Sequence, residues 1–213
     1  YAGPLRLLAV EVYERLNASG VYCSLFTGQE RREVPFASHA SCTIEMVPVG
    51  ASFDVAVVDE IQLIGSDYRG HAWTRALQGL DAGEIHVCGA LDAAELVKQL
   101  CGEWGDSFEL QKYERMTPLV VADAPMLSWK EIRSGDCVVT FSRDDIHVVR
   151  REIETERPGI KCGVVYGQLP PETRTEQARL FNDGQYDVLV ASDAIGMGLN
   201  LNIGRIIFRK TEK

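Results

Sequence analysis

The chain has 213 residues, of which 46% are hydrophobic and 25% charged, a globular composition that argues against a disordered chain. Its net charge is −9, divided into −8 for residues 1–116 and −1 for residues 117–213, so no strongly basic field gathers nucleic acid non-specifically. The longest apolar runs, such as residues 55–58, have the length of strands and not of membrane spans.

Strand-like and helix-like runs alternate along the whole chain. In chain order, we predict a helix over residues 4–18, strands over 21–26, 42–47 and 53–58, a helix over 69–80, a strand over 84–88, a helix over 92–100, strands over 108–113 and 136–141, a helix over 143–155, a strand over 161–166, a helix over 171–181, and strands over 187–191 and 205–208. Several strands are almost continuously apolar, as parallel strands covered on both faces are. The alternation predicts the α/β class, an open parallel sheet with right-handed crossovers, and a domain boundary near Met116–Pro118.

The cysteines and histidines do not indicate a metal or redox site. None of the six cysteines forms a Cys-x-x-Cys pair, and most lie in strand-like runs, which favours reduced, buried thiols. His39 and Cys42 have a ligand-like spacing, but no second pair accompanies them. Neither a Gly-Lys dipeptide nor a His-Glu-x-x-His motif occurs, so the chain contains no phosphate-binding P-loop and no zinc-protease motif of that kind.

An acidic pair ends one predicted strand. Residues 53–58 are mostly apolar and deliver Asp59 and Glu60 to the carboxyl end, which is where ligands bind in open α/β sheets. An Asp there can hold Mg²⁺ through water, and a neighbouring Glu can activate an attacking water. Taken alone, the pair favours a strand that ends in a solvated acidic turn, since such dipeptides are common.

A second signal follows the predicted strand at 187–191. Ser192 and Asp193 precede Gly196 and Gly198, two glycines that let the backbone approach a phosphate or a base closely. A third glycine of a dinucleotide fingerprint is absent, because Leu201 occupies its place. Taken alone, this segment fits equally a glycine-rich connection.

Eight short segments occur in one order that resembles helicase superfamily two, and in detail the suppressor-of-var type of mitochondrial ATP-dependent RNA helicase, the helicase subunit of the mitochondrial RNA degradosome. They are residues 3–9, 27–30, 41–46, 59–62, 88–90, 141–142, 166–174 and 191–201. The Asp-Glu-Ile-Gln box at residues 59–62 and the Ala-Ile-Gly-Met-Gly-Leu-Asn-Leu run are the most specific of them. The resemblance covers essentially the whole chain.

The resemblance implies two RecA-like domains, residues 1–116 and 117–213, with parallel sheets, ATP in the cleft and RNA across both domains. It implies that Asp59 holds Mg²⁺, that Glu60 activates the hydrolytic water, and that Gln62 links the nucleotide site to the second domain. Residues 88–90 correspond to the motif that couples hydrolysis to unwinding. Asp193, Gly196 and Gly198 belong to the motif that touches RNA and the nucleotide ribose.

The resemblance also implies which residues contact RNA. In the first domain these are Pro4, Leu5, Arg6, Thr27, Gly28, Thr43 and Glu45, and in the second Phe141, Ser142, Gly167, Leu169 and Ser192. Such contacts are largely backbone amides and hydroxyls on phosphate and sugar, so they track a strand without reading its sequence, and an acidic chain can still bind RNA.

The implied activity is 3′-to-5′ RNA unwinding coupled to ATP hydrolysis in the mitochondrial matrix, with a 3′-to-5′ exoribonuclease as partner and no membrane contact. The chain departs from the family pattern at both ends: it begins after the expected P-loop and stops before the arginine-finger motif, whose arginine is worth about 10³–10⁵ in rate. We therefore expect both domains to be truncated, and this 213-residue piece not to hydrolyse ATP appreciably by itself. Two alternatives stay open at this point: a catalytically dead RNA-binding scaffold derived from a helicase, and a DNA translocase of the same superfamily.

Overall fold

In a computed structural model, residues 1–114 and 117–211 are described, and the chain divides into two compact units, Tyr1–Thr117 and Pro118–Lys213. Met116, at the expected boundary, lies outside the described residues. No helix within the described ranges combines the length and apolarity that a membrane crossing needs.

The first unit is a six-stranded sheet with helices packed against it. Its strands are β1 (Ala2–Gly3), β2 (Cys23–Phe26), β3 (Arg31–Arg32), β4 (His39–Thr43), β5 (Ser52–Val58) and β6 (Asp81–Val87), and its helices are α1 (Arg6–Ala18), α2 (Gly70–Gly79) and α3 (Ala94–Trp104). The strand order is β3-β2-β4-β1-β5-β6, and all pairs are parallel except the antiparallel β2–β3 pair. The predicted parallel α/β architecture is confirmed, with β3 as an antiparallel edge.

The second unit is a four-stranded, entirely parallel sheet in the order β10-β7-β9-β8. Its elements are β7 (Asp136–Val139), α4 (Arg143–Glu156), β8 (Cys162–Val165), α5 (Pro171–Asn182), β9 (Val188–Ala191) and β10 (Arg205–Phe208). Both faces of the sheet are buried: Val138 packs with α4, whereas Cys137 and Val139 pack with Phe181 of α5. Burial on both faces explains why these strands are continuously apolar in sequence.

Two predicted strands of the first unit are wrong in whole or in part. Residues 42–47 were expected to be extended, but β4 ends at Thr43 and a short 3₁₀ turn, Ile44–Met46, follows. The strand stops because its neighbour β1 has only two residues, so no further ladder bonds are available. Residues 108–113 form no strand: Phe108 packs on the core, but Leu110 and Tyr113 are exposed, and no described strand pairs with this segment.

Candidate functional site

The acidic pair lies at the carboxyl edge of the first sheet, directly after the buried strand β5. The Asp59 amide donates to the Ala2 carbonyl at 2.9 Å, so this turn also lies beside β1. Asp59 Oδ1 accepts the Glu60 amide at 2.9 Å, and Oδ2 accepts the Tyr1 hydroxyl at 2.7 Å. Glu60 has a left-handed backbone, with φ 52° and ψ 49°, an unfavourable conformation for a non-glycine residue that the surrounding bonds must hold.

Gln62 joins this acidic turn to the end of the neighbouring strand β6. Its side-chain amide donates to Glu60 Oε2, and its carbonyl oxygen accepts the Ala90 amide at 3.1 Å. The Ile61 amide donates to the Cys88 carbonyl at 2.9 Å. Segments 59–62 and 88–90, which are far apart in sequence, therefore form one hydrogen-bonded structure.

The acidic turn has the donor set that Mg²⁺ prefers. Asp59 and Glu60 supply hard carboxylate oxygens, and the two bonds to Asp59 fix its carboxylate while leaving lone pairs on each oxygen. No cluster of three or more His, Cys, Asp or Glu side chains that could hold a metal exists in the part of the chain that the structure describes. Magnesium commonly uses one or two carboxylates, with waters and substrate phosphates completing the shell, so these residues fit that ion.

A separate groove of about 320 Å³ lies on the first unit, where α1 and the turns after β2 and β4 meet. All seven residues of this unit that the resemblance implies in strand contact line it: Pro4, Leu5, Arg6, Thr27, Gly28, Thr43 and Glu45. We call this surface the strand groove. Gln29, Met46 and Arg69 also line it; Gln29 and Met46 lie within the segments that carry the resemblance, whereas Arg69 lies in none of them.

The strand groove presents backbone donors and few free charges. Helix α1 begins with Arg6, which lines the groove, and the amides of its first turn have no carbonyl partner within the helix, which makes a helix start suitable for phosphate. Thr27 closes the next turn by accepting the Gln29 and Glu30 amides at 3.3 and 3.1 Å. The Arg6 guanidinium lies 2.8 Å from Glu30 and lowers the pKa of that carboxyl, so this groove arginine is ion-paired, with a carboxylate that Arg32 also contacts at 2.6 Å.

The second unit brings three predicted site segments to the carboxyl edge of its sheet. Ser142 caps α4 by accepting the Asp145 amide, and Phe141 beside it is partly buried. Arg143 donates to Gln168 at 3.2 Å and lies 5.9 Å from the Tyr166 ring, which ties the end of β7 to the loop containing Gly167 and Leu169.

The glycine-rich segment adjoins these two loops. The Ser192 amide donates to the Val165 carbonyl at 2.9 Å, and its hydroxyl accepts the Ala194 amide at 3.1 Å, which starts a short 3₁₀ turn at Asp193–Gly196. A Cβ at Gly167 would lie 3.7 Å from Ala194, so the two segments pack closely. Gly198 has φ 77°, a backbone conformation that favours glycine, whereas Gly196 does not.

Comparison with known protein families matches each unit to a helicase model. Residues 1–113 match the DEXQ-box helicase domain of Suv3. Residues 113–212 match the helicase conserved C-terminal domain. The two matches meet at residue 113, a few residues before the compact units divide at Thr117 and Pro118.

Curated relatives are similar over the whole chain. The chain is 54% identical to the Arabidopsis thaliana DExH-box ATP-dependent RNA helicase DExH18, mitochondrial, covering 100% of this chain and 28% of the relative. It is 52% identical to the Oryza sativa ATP-dependent RNA helicase SUV3, mitochondrial (100% and 37%), and 50% identical to the Homo sapiens SUPV3L1, mitochondrial (98% and 27%). The chain thus spans between about a quarter and two-fifths of these relatives' length.

Solved helicase structures share the fold at low identity. The Saccharomyces cerevisiae Dbp5 bound to RNA and ADP BeF3 matches with a TM-score of 0.62 at 16% identity, over 100% of this chain and 63% of that one. The Mycobacterium smegmatis helicase Lhr bound to ssDNA and AMP-PNP matches with a TM-score of 0.60 at 14% identity, over 97% and 35%. These matches confirm the expected RecA-like fold and carry no functional argument.

Proposed function

The chain belongs to the Suv3 family of DEXQ-box helicases, and on that premise we propose that the natural protein containing it is an ATP-dependent RNA helicase. One observation carries the proposal from this chain's own residues. Gln62 bonds Glu60 on one side and the Ala90 amide on the other, so the group proposed to act on water is attached to the segment proposed to couple hydrolysis with unwinding.

Asp59 is the residue we propose to hold Mg²⁺, which neutralises charge on the ATP phosphates when it is bound. Its carboxylate is fixed by the Tyr1 hydroxyl and the Glu60 amide, so it is oriented before any ligand arrives. Glu60 is the residue we propose to orient and deprotonate the attacking water. Asp193, Gly196 and Gly198 are the proposed contacts of the second unit with the nucleotide ribose.

The strand groove is the surface where we propose that the first unit binds RNA. The amides at the start of α1, which have no carbonyl partner within the helix, suit phosphate and sugar, and they carry no base-reading geometry. Phe141, Ser142, Gly167, Leu169 and Ser192 form the corresponding proposed surface of the second unit. Sequence-independent binding of single-stranded RNA follows from this chemistry.

The proposed setting is mitochondrial RNA degradation with 3′-to-5′ polarity and a 3′-to-5′ exoribonuclease as partner. The location is supported by relatives whose names carry the word mitochondrial. Polarity, degradation and the nuclease partner are supported by the family resemblance alone. Duplexes with a 3′ or a 5′ single-stranded extension test the polarity, and preferential unwinding of the 3′-extended duplex is expected.

The decisive experiment measures RNA-stimulated ATP turnover by the full-length natural protein and its Glu60→Gln variant. We expect turnover to fall by at least about 100-fold in the variant, while affinity for a fluorescent ATP analogue changes little. Glu84→Gln is the matched control, because Glu84 is an exposed carboxylate on β6 that pairs with His86 and lies outside the acidic turn. Normal turnover in Glu60→Gln would refute the role of Glu60.

The same assay separates the alternative functions. If the wild-type protein binds RNA but does not hydrolyse ATP, the non-catalytic RNA-binding scaffold becomes the supported function. Greater stimulation by single-stranded DNA than by RNA of the same sequence would favour a DNA translocase. RNA-selective stimulation supports the helicase proposed here.

A further inference from the structure

Arg69 lies at the start of α2 and reaches the strand groove, although no implied motif contains it. Its Nε and Nη2 lie 2.9 and 2.7 Å from Glu45 Oε1, and Nη2 also donates to the Pro4 carbonyl at 2.6 Å. Pro4 precedes α1, whereas Glu45 follows β4. One guanidinium therefore joins two walls of the groove that come from distant parts of the chain.

The Arg69 guanidinium packs on the ring of a buried tryptophan, Trp73. Its Cζ lies 5.5 Å from the centre of the Trp73 ring, at a cation–π distance. Trp73 is fully buried and donates through Nε1 to the Asp59 carbonyl at 3.0 Å. The ring therefore has its own anchor and provides a fixed surface against which the guanidinium packs.

The pairing of Arg69 with the Glu45 carboxylate affects how the groove would interact with the negatively charged phosphates of RNA. Glu45 presents a carboxylate, 43% exposed, in a groove proposed to receive phosphates, and an uncompensated carboxylate there would repel the strand. Arg69 offsets this charge. The other arginine of the groove, Arg6, forms its ion pair with Glu30 and not with Glu45.

We propose that Arg69 is a positioning residue for RNA binding: it holds the Pro4 carbonyl at the start of α1 and neutralises Glu45, so that the strand groove accepts phosphate. The inference rests on the proposed function of the groove. Lysine cannot replace arginine fully here, because it lacks the planar fork that reaches both partners and the surface that stacks on Trp73.

The test measures the affinity of the full-length natural protein for fluorescein-labelled oligouridine by fluorescence anisotropy. We expect Arg69→Ala to weaken binding about tenfold and Arg69→Lys to give an intermediate loss. The RNA concentration for half-maximal ATPase stimulation should rise by the same factor, while turnover at saturating RNA is retained. A purely structural defect would lower turnover as well.

Arg31→Ala is the matched control. Arg31 has the same kinds of contact, an ion pair with Glu33 at 2.5 Å and a ring, Phe26, at 5.0 Å, but it does not line the groove. Arg31→Ala removes the same charge as Arg69→Ala and is expected to leave the affinity for RNA within about twofold of wild type. Thermal unfolding checks that each variant is folded. If Arg69→Ala does not fold, the RNA affinity of Arg69→Lys is the test.

The double variant Glu45→Gln/Arg69→Ala isolates the charge argument. We expect it to bind RNA at least threefold more tightly than Arg69→Ala, about half of the expected loss on a logarithmic scale, because the uncompensated carboxylate is gone. If Arg69→Ala bound RNA with wild-type affinity, or if the double variant bound RNA no more tightly than Arg69→Ala, the role of Arg69 would be overturned. The proposed function of the groove would still stand. A wild-type protein that does not bind oligouridine would overturn the proposed function together with the role of Arg69.

Discussion

The Tyr1 hydroxyl donates a 2.7 Å hydrogen bond to Oδ2 of Asp59, although the two residues lie 58 positions apart. Burial, with the hydrogen bond and the charge of Asp59, raises the pKa of this phenol far above its usual value. Tyr1 therefore stays protonated and remains a donor throughout the physiological pH range. The bond holds the carboxylate that we propose as the Mg²⁺ ligand.

Tyr1→Phe removes this bond while keeping the ring. We expect the Mg²⁺ concentration that supports half-maximal binding of a fluorescent ATP analogue to rise about tenfold, the effect typical of losing a bond that orients a metal ligand. The measurement is a Mg²⁺ titration of analogue binding by the full-length protein. Tyr22→Phe, at an exposed position, is the control, and an unchanged titration for Tyr1→Phe would contradict this role.

Gly89→Ala should disturb the junction between Gln62 and the Cys-Gly-Ala segment. Gly89 has φ 154°, and a Cβ there would overlap Gln62 Oε1 and lie 2.9 Å from the Ile61 side chain and amide. We expect a loss of about 1–3 kcal/mol in stability or a displaced Gln62 with lower ATP turnover. Thermal unfolding and turnover are measured together.

Gly102→Ala is the opposite case and the control for Gly89→Ala. Gly102 lies within α3, and a Cβ there meets no atom within 4 Å. The change should stabilise the first unit by about 0.5–1 kcal/mol, because alanine loses less backbone entropy in a helix. A Gly89→Ala protein as stable and as active as Gly102→Ala would contradict the tight packing at residue 89.

Arg205→Ala should destabilise the second unit. Asp136 and Arg205 face each other across the β7–β10 pair, and two guanidinium nitrogens contact the buried carboxylate at 3.0 and 2.6 Å. The hydrogen bond to Asp136 raises the pKa of Arg205. Loss of the arginine removes both contacts from the buried carboxylate, which keeps the 2.7 Å bond from the Arg133 amide, at an expected cost of about 2–4 kcal/mol.

Arg179→Ala controls for removing an arginine that has two carboxylate partners. Arg179 pairs with Glu176 and Asp183 on the exposed face of α5, so its loss should change stability by less than about 1 kcal/mol. Differential scanning calorimetry of both variants makes the comparison. Equal unfolding temperatures would show that the buried pair does not stabilise the second unit.

Cysteine alkylation should follow burial. Burial raises the pKa of Cys42 to about 11 and those of Cys137 and Cys162 to about 12, so these thiols stay neutral and shielded at pH 8. Cys88 is exposed, although burial of its sulfur and nearby Asp59 also raise its pKa. Mass spectrometry after brief iodoacetamide treatment should find Cys88 labelled first.

The pH dependence follows from the same shifts. Raising the pH towards 9 increases the thiolate fraction and should speed labelling of Cys88. Because the folded chain disfavours the buried thiolates, the unfolded chain loses those protons first, and stability should fall as the pH rises above about 9. Rapid labelling of Cys137 in the native protein at pH 8 would contradict its burial.

The periodicity of apolar residues predicted most helices and strands, because the spacing of these residues within an element reflects which of its faces is buried. All five helices and seven of the nine predicted strands are present, an eighth, 42–47, is present in part, and Pro171 starts α5 as expected. The strand predicted at residues 108–113 is wrong, because no described strand lies beside this apolar segment to pair with it. Strands β1 and β3 were missed because two residues are too few to show any period.

The sequence by itself determined the fold class and the placement of Asp59 and Glu60 at a strand end, since strand and helix periods are local properties, and its ordered motifs indicated the family. Only the tertiary structure decided what holds these groups: the Tyr1 hydroxyl on Asp59, the Gln62 bridge to Ala90, and Arg69 between Pro4 and Glu45. Each contact joins residues from separate crossovers of a parallel sheet. No local pattern records it, because their distance is set by how the strands order and pack.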